Sequence, residues 1–236
     1  MTTLGALYDV MLRLQFNRAR VLALGALGAA SILVGVLMGV ADDVTISDRI
    51  NFVNAFGLAV VLPVTTLVFA SATFGDLAED QTLVYLWLRD LPRWRLAASA
   101  MLSTLTIVIP LVALPLVATA IAAQLDAEAV LGSVVATVVG ALAYTGAFTA
   151  LGLRAKRSLI WGLLYIFIWE QFVARAGHSV RRFALSAYTR SVLSKISGVS
   201  IRDADISSVF AVVIPIVVSI VAFAYVANRL HRHDVA

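Results

Sequence analysis

The chain has 236 residues, 61% of them hydrophobic and 14% charged, with a formal net charge of +4 and a mean hydropathy of +0.95. An average soluble domain carries about 25% charged residues, and a single core could not enclose this much apolar side chain, so a soluble globular fold is excluded. Cysteine is absent, which removes disulfides, thiolate metal sites and cysteine nucleophiles, and the basic residues flank apolar runs, where they orient a membrane protein rather than bind nucleic acid.

In chain order, residues 1–20 hold Asp9, Arg13, Arg18 and Arg20 without a cleavage pattern, so 21–41 reads as a retained first span. Gly25, Gly28 and the Gly35-x-x-x-Gly39 spacing give this span small-residue surfaces for close helix approach, inside the chain or across a dimer. A short acidic turn, DDVTISDR at 42–49, follows. Residues 52–75 contain no ionisable side chain; as a helix they extend about 36 Å at 1.5 Å per residue, enough to cross a hydrocarbon core of about 30 Å. Asn51, Asn54, Thr65, Thr66, Ser71 and Thr73 are the polar positions around it, facing either a partner helix or pathway, or their own backbone.

Residues 75–96, GDLAEDQTLVYLWLRDLPRWRL, form the most informative polar segment. Asp76 is placed to N-cap a helix with Glu79 at its third position, and Asp80 further suits a positive helix terminus. Leu83, Leu86 and Trp87 share an apolar side, Arg89 reaches the last turn, and Pro92 ends the ladder. The segment is an amphipathic connector on the inner leaflet or a lever that docks a soluble partner. In the second case Asp76, Glu79, Asp80, Arg89 and Arg93 supply charge, while Leu83, Tyr85 and Trp87 supply packing area.

Further spans are expected at 97–123, 130–153, 158–174 and 208–228, the fifth being the shortest and containing Glu170. A buried carboxylate must find a polar partner, so Glu170 is either an anchor or a pathway residue. Pro63, Pro110, Pro115 and Pro215 each remove a helical hydrogen bond and permit local bending. Between spans five and six, the 175–207 connection carries Arg175, Arg181, Arg182, Arg190, Lys195 and Arg202, and 180–195 is expected to lie on lipid headgroups with Phe183 and Ala187 on one face. Arg13, Arg18, Arg20, Arg89, Arg93, Arg95, Arg154, Lys156, Arg157, Arg229 and Arg232 fall on one side of a six-span arrangement, which places both termini in the cytoplasm.

The stretch AEDQTLVYLWLRDLPRWRL resembles the cytoplasmic segment of the ABC-2 permease family: an acidic start, a leucine-rich helix and a proline–arginine turn into the third span. IWGLLYIFIWEQFVARAG and FALSAYTRSV, at 160–177 and 183–192, are similar to the aromatic fifth span and external helix of small members. The resemblance implies an all-α integral membrane protein in which 1–236 form one permease domain of six transmembrane helices of ABC-2 exporter type, with a cytoplasmic coupling helix at 76–91 and an external helical segment at 175–207. It implies a location in the plasma membrane, as in a bacterial inner membrane. It also implies two ABC ATP-binding subunits, a second permease that is identical or homologous, and a central route lined from spans 2 and 5, with Asn54, Thr65, Thr66 and Glu170 as pathway or outer-gate candidates. No G-x-x-x-x-G-K-[ST] loop, H-E-x-x-H motif or other catalytic constellation occurs, and His178, His231 and His233 form no metal set. ATP and magnesium would therefore sit on the partner ATPase, with no cofactor or metal bound directly by this chain. A secondary transporter or channel, and a membrane scaffold that recruits a soluble partner, are the competing functions.

Overall fold

The computed structural model describes residues 3–79, 92–173 and 178–232. Regular structure among them is entirely helical: α1 (Thr3–Gln15), α2 (Arg18–Val40), α3 (Ile46–Phe52), α4 (Leu62–Glu79), α5 (Arg93–Ala122), α6 (Ala127–Arg154), α7 (Ser158–Leu164), α8 (His178–Arg181), α9 (Leu185–Ser197) and α10 (Ser208–Arg232). A π-helical stretch, Val53–Val61, joins α3 to α4, and another, Tyr165–Glu170, continues α7. Five continuous helices are long and apolar enough to cross a membrane: Arg18–Val40, Ile46–Gly75, Arg93–Ala122, Ala127–Arg154 and Ser208–Leu230. The chain is an all-α, multi-span integral membrane protein.

Local chemistry sets the boundaries. The Asn17 side chain accepts from the Ala19 amide and starts α2, Thr45 and Asp48 form a reciprocal capping box on α3, and Asp126 caps α6 through the Ala129 amide. Arg49 Nη1 donates to the Ala123 carbonyl at 3.0 Å, satisfying a C-terminal acceptor of α5.

α6 is the hub, packing on α4, α5, α9 and α10. Its glycines fix the register: Gly140 sits against Leu62 and Thr189, Gly146 against Ser219, and Gly152 against the Ser71 backbone at distances where even a Cβ would collide. α4 and α6 thus run parallel and close. α2 runs parallel to α5, with Gly28 on Pro115, Gly35 on Thr119 and Gly39 on the Ala122 carbonyl. The small-residue face of α2 is therefore occupied within the chain, and Ser31 and Thr119 share a hydrogen bond across it at 2.6 Å.

The end where α2 and α5 begin and α4, α6 and α10 finish carries Arg18, Arg20, Arg93, Arg95, Arg154 and Arg229, and is called the basic end below. Here Met11, Phe74, Leu96, Ala97, Ala100, Val226 and Leu230 form a second core, separate from the main one, that fastens α1, α4, α5 and α10 together.

Three expectations change. Residues 158–174 are not one span: the helical run ends at Glu170 after 13 residues, about 20 Å of rise against a core of about 30 Å. The chain leaves α6 at the basic end and enters α10 at the other, so this sixth passage is made in pieces, α7 with its π extension and then α9. Helix α9 does not rest on headgroups: Leu185 to Leu193 are all buried, and Phe183 is 74% exposed where Ala187 is 2%. Phe183 precedes the helix in a turn and does not share its face. Finally, Asp76 starts no helix; α4 continues through it to Glu79, because an established hydrogen-bond ladder needs no new cap.

Candidate functional site

The polar centre of the molecule is the break in the sixth passage. Gly140 touches Thr189 and Gly132 touches Leu193, so α9 runs antiparallel to α6 and its N-terminus lies one turn deeper, beside Tyr144. Tyr144 is about 15 Å of helical rise from Arg154 at the basic end, and Ser208 is about 16 Å above Ser219, the residue facing Gly146. The N-terminus of α9 therefore opens near mid-depth in the bundle.

Ala184 occupies the cap position of α9 and offers no side-chain oxygen. Glu170 supplies it from another element. One carboxylate oxygen accepts from the Leu185 amide at 3.1 Å and the other from the Tyr144 hydroxyl at 2.6 Å. Two internal donors, one to each oxygen, hold the carboxyl group. It also stands at the positive end of the α9 dipole, where half-helices in transporters hold anionic groups. Arg190, 8% exposed and further along α9, adds a cation within electrostatic range of Tyr144.

The neighbouring residue ties the break to α4. Pro63 has no N–H for the carbonyl four residues earlier, that of Ala59, and Gln171 Nε2 donates to that oxygen at 2.9 Å.

Asn54, Thr65 and Thr66 are all buried. Thr66 Oγ1 donates to the Leu62 carbonyl at 2.7 Å, the self-bonding alternative. Thr65 on α4 and Thr145 and Thr149 on α6 bury hydroxyls that find no partner among the described residues. Among the described residues no hydrogen bond joins Asn54, Thr65 or Thr66 to Glu170.

Of the coupling candidates, Asp76 and Glu79 lie in the last turn of α4 and Arg93 opens α5. Asp80, Leu83, Tyr85, Trp87 and Arg89 lie outside the described residues.

Sequence reasoning missed Tyr144, Tyr165 and Gln171, and it missed α1 with Gln15. Gln15 is 2% exposed and donates through Nε2 to Thr73 Oγ1 at 2.9 Å and Ser103 Oγ at 2.8 Å, while Thr104 Oγ1 donates to its Oε1 at 3.2 Å. The signal was present as Leu7, Met11 and Gln15 at four-residue spacing.

Comparison with known proteins finds no family model, no curated protein and no solved structure that matches the chain.

Proposed function

We propose that this chain is the transmembrane permease subunit of an ATP-driven exporter of ABC-2 type. The single observation that carries the reading is the second core at the basic end. α4 and α5 are the helices that lead into and out of residues 80–91, and both are clamped there with α1 and α10 through Met11, Phe74, Leu96, Val226 and Leu230. A force applied to the 76–91 connection would move four helices together, which suits a lever.

The charge in the sequence supports the same reading: Asp76, Glu79 and Asp80 bring three carboxylates to the start of the connection, which a cationic partner surface would match. In this function the partner is a pair of ATP-binding subunits that hold ATP and magnesium, and a second permease, identical or homologous, completes the route. The basic end faces the cytoplasm by the positive-inside rule, and the assembly resides in a bacterial inner membrane. This chain performs no hydrolysis itself.

A secondary transporter is the reading that the broken passage favours, because discontinuous helices and a mid-depth carboxylate are common in such proteins. The Tyr144 hydroxyl and the Leu185 amide, which hold Glu170 as a structural clasp between α6 and α9, weigh against it.

Co-purification and liposome flux test the proposal. Asp76, Glu79 and Asp80 all changed to Lys should abolish capture of the ATPase subunit while membrane insertion continues, and flux should require ATP rather than a non-hydrolysable analogue. Undiminished ATPase binding by the triple variant, or flux without hydrolysis, would remove the reading.

A further inference from the structure

A second polar site lies at the end opposite the basic one. Arg181 pairs with Asp203 at 2.7 Å and Asp205 at 3.0 Å, tying the turn before α9 to the connection that precedes α10. Beside this double ion pair is a cavity of about 390 Å³ walled by Arg181, Arg182, Tyr188, Asp205, Phe210 and Ile214. Its two halves differ in chemistry. Phe210 and Ile214 belong to the first two turns of α10, the start of a membrane span, so they stand where acyl chains begin. The other wall presents charge.

Arg181 is committed to its two aspartates and is largely buried, at 14% side-chain exposure. Arg182 is different: it is exposed, and among the described residues its side chain forms no ion pair. Its backbone is held, because the Tyr188 hydroxyl donates to the Arg182 carbonyl, so the guanidinium projects from a fixed point. Phe183 beside it is 74% exposed.

We propose that this cavity is a binding site for a glycerophospholipid of the adjoining leaflet, with the phosphodiester on Arg182 and the upper acyl carbons against Phe210 and Ile214. Guanidinium is the side chain best matched to phosphate oxygens, and Arg182 shares the cavity lining with Phe210 and Ile214. Among the described residues Arg182 is the cavity cation outside the Arg181 ion pairs, which suits one phosphate group. Such a lipid would wedge between α10 and the turn that leads into α9, next to the broken passage. The site requires no ATPase partner, so it stands or falls independently of the exporter reading.

Native mass spectrometry of the purified full chain in detergent, titrated with phosphatidylglycerol, tests it. Arg182→Gln should weaken binding five- to tenfold, and Ile214→Trp, which fills the apolar wall and keeps the charge, should weaken it similarly. Arg202→Gln removes an exposed cation from the same end outside the cavity and should bind as the parent does. Soluble glycerol phosphate should fail to compete. Equal loss from Arg182→Gln and Arg202→Gln would reduce the effect to general charge attraction and overturn the proposal. Competition by glycerol phosphate at lipid concentrations would overturn it in favour of a free phosphate ester, and unchanged affinity in Arg182→Gln would overturn it outright.

Discussion

Two polar clasps hold irregular elements onto this bundle, and they are built from opposite chemistry. At the basic end Gln15, a neutral amide, pins α1 to α4 and α5 through Thr73, Ser103 and Thr104. At mid-depth Glu170, a carboxylate, pins α9 to α6 and the π-helical turn. The hydroxyls around Gln15 have second choices: Thr73 also donates to the Phe69 carbonyl, and Ser103 and Thr104 to that of Ala100. The donors to Glu170 include the Leu185 amide at a helix start, which has no intrahelical acceptor. The difference teaches that the clasp with replaceable bonds tolerates damage, while the clasp with obligatory ones does not.

The largest expected effect tests the obligatory clasp. Glu170→Ala leaves the buried Tyr144 hydroxyl and the Leu185 amide without their acceptor, and should cost about 2–5 kcal/mol, read as lost resistance to unfolding in mixed detergent. A cost below about 1 kcal/mol would show that water or rearrangement replaces the carboxylate. Next, Gln15→Ala should cost about 1–2 kcal/mol, because its partners fall back on their own carbonyls, and protease should cut within α1 sooner than elsewhere. If Gln15→Ala proved the more damaging of the two, the ranking of the clasps would invert. The smallest effect belongs to Tyr8→Phe. Tyr8 donates to Thr106 at 2.9 Å in an exposed setting, and Thr106 already donates to Leu102, so about 0.5 kcal/mol or less is expected. A larger loss would mean that α1 is held from its middle rather than from its end.

The five continuous spans were legible because length and hydropathy alone specify them, and Arg18–Val40, Ile46–Gly75, Arg93–Ala122, Ala127–Arg154 and Ser208–Leu230 fall on or near the expected ranges. The sixth passage was not, for a physical reason. Its halves are joined by hydrogen bonds between residues distant in sequence, from Tyr144 and Leu185 to Glu170, and no local periodicity encodes them. Helix α9 misled in the same way: basic residues in a short amphipathic pattern suggest a surface helix, yet Arg190 is buried along with Leu185 through Leu193. Asp76 shows the converse failure. Its capping signals are real in isolation, but α4 arrives already formed and runs through Asp76. Glu170 itself was visible as an anomaly; its partners were not.

The proline in α4 has a wider implication. Pro63 stands where the π-helical ladder of Val53–Val61 gives way to α4, and Gln171 takes the Ala59 carbonyl oxygen beside it, so an irregularity in one helix becomes the socket for another. Alanine at position 63 would be the better helix former by about 3 kcal/mol in isolation, yet it would add an amide beside the socket. Sequence changes that improve each segment on its own would in this way loosen the seam between them.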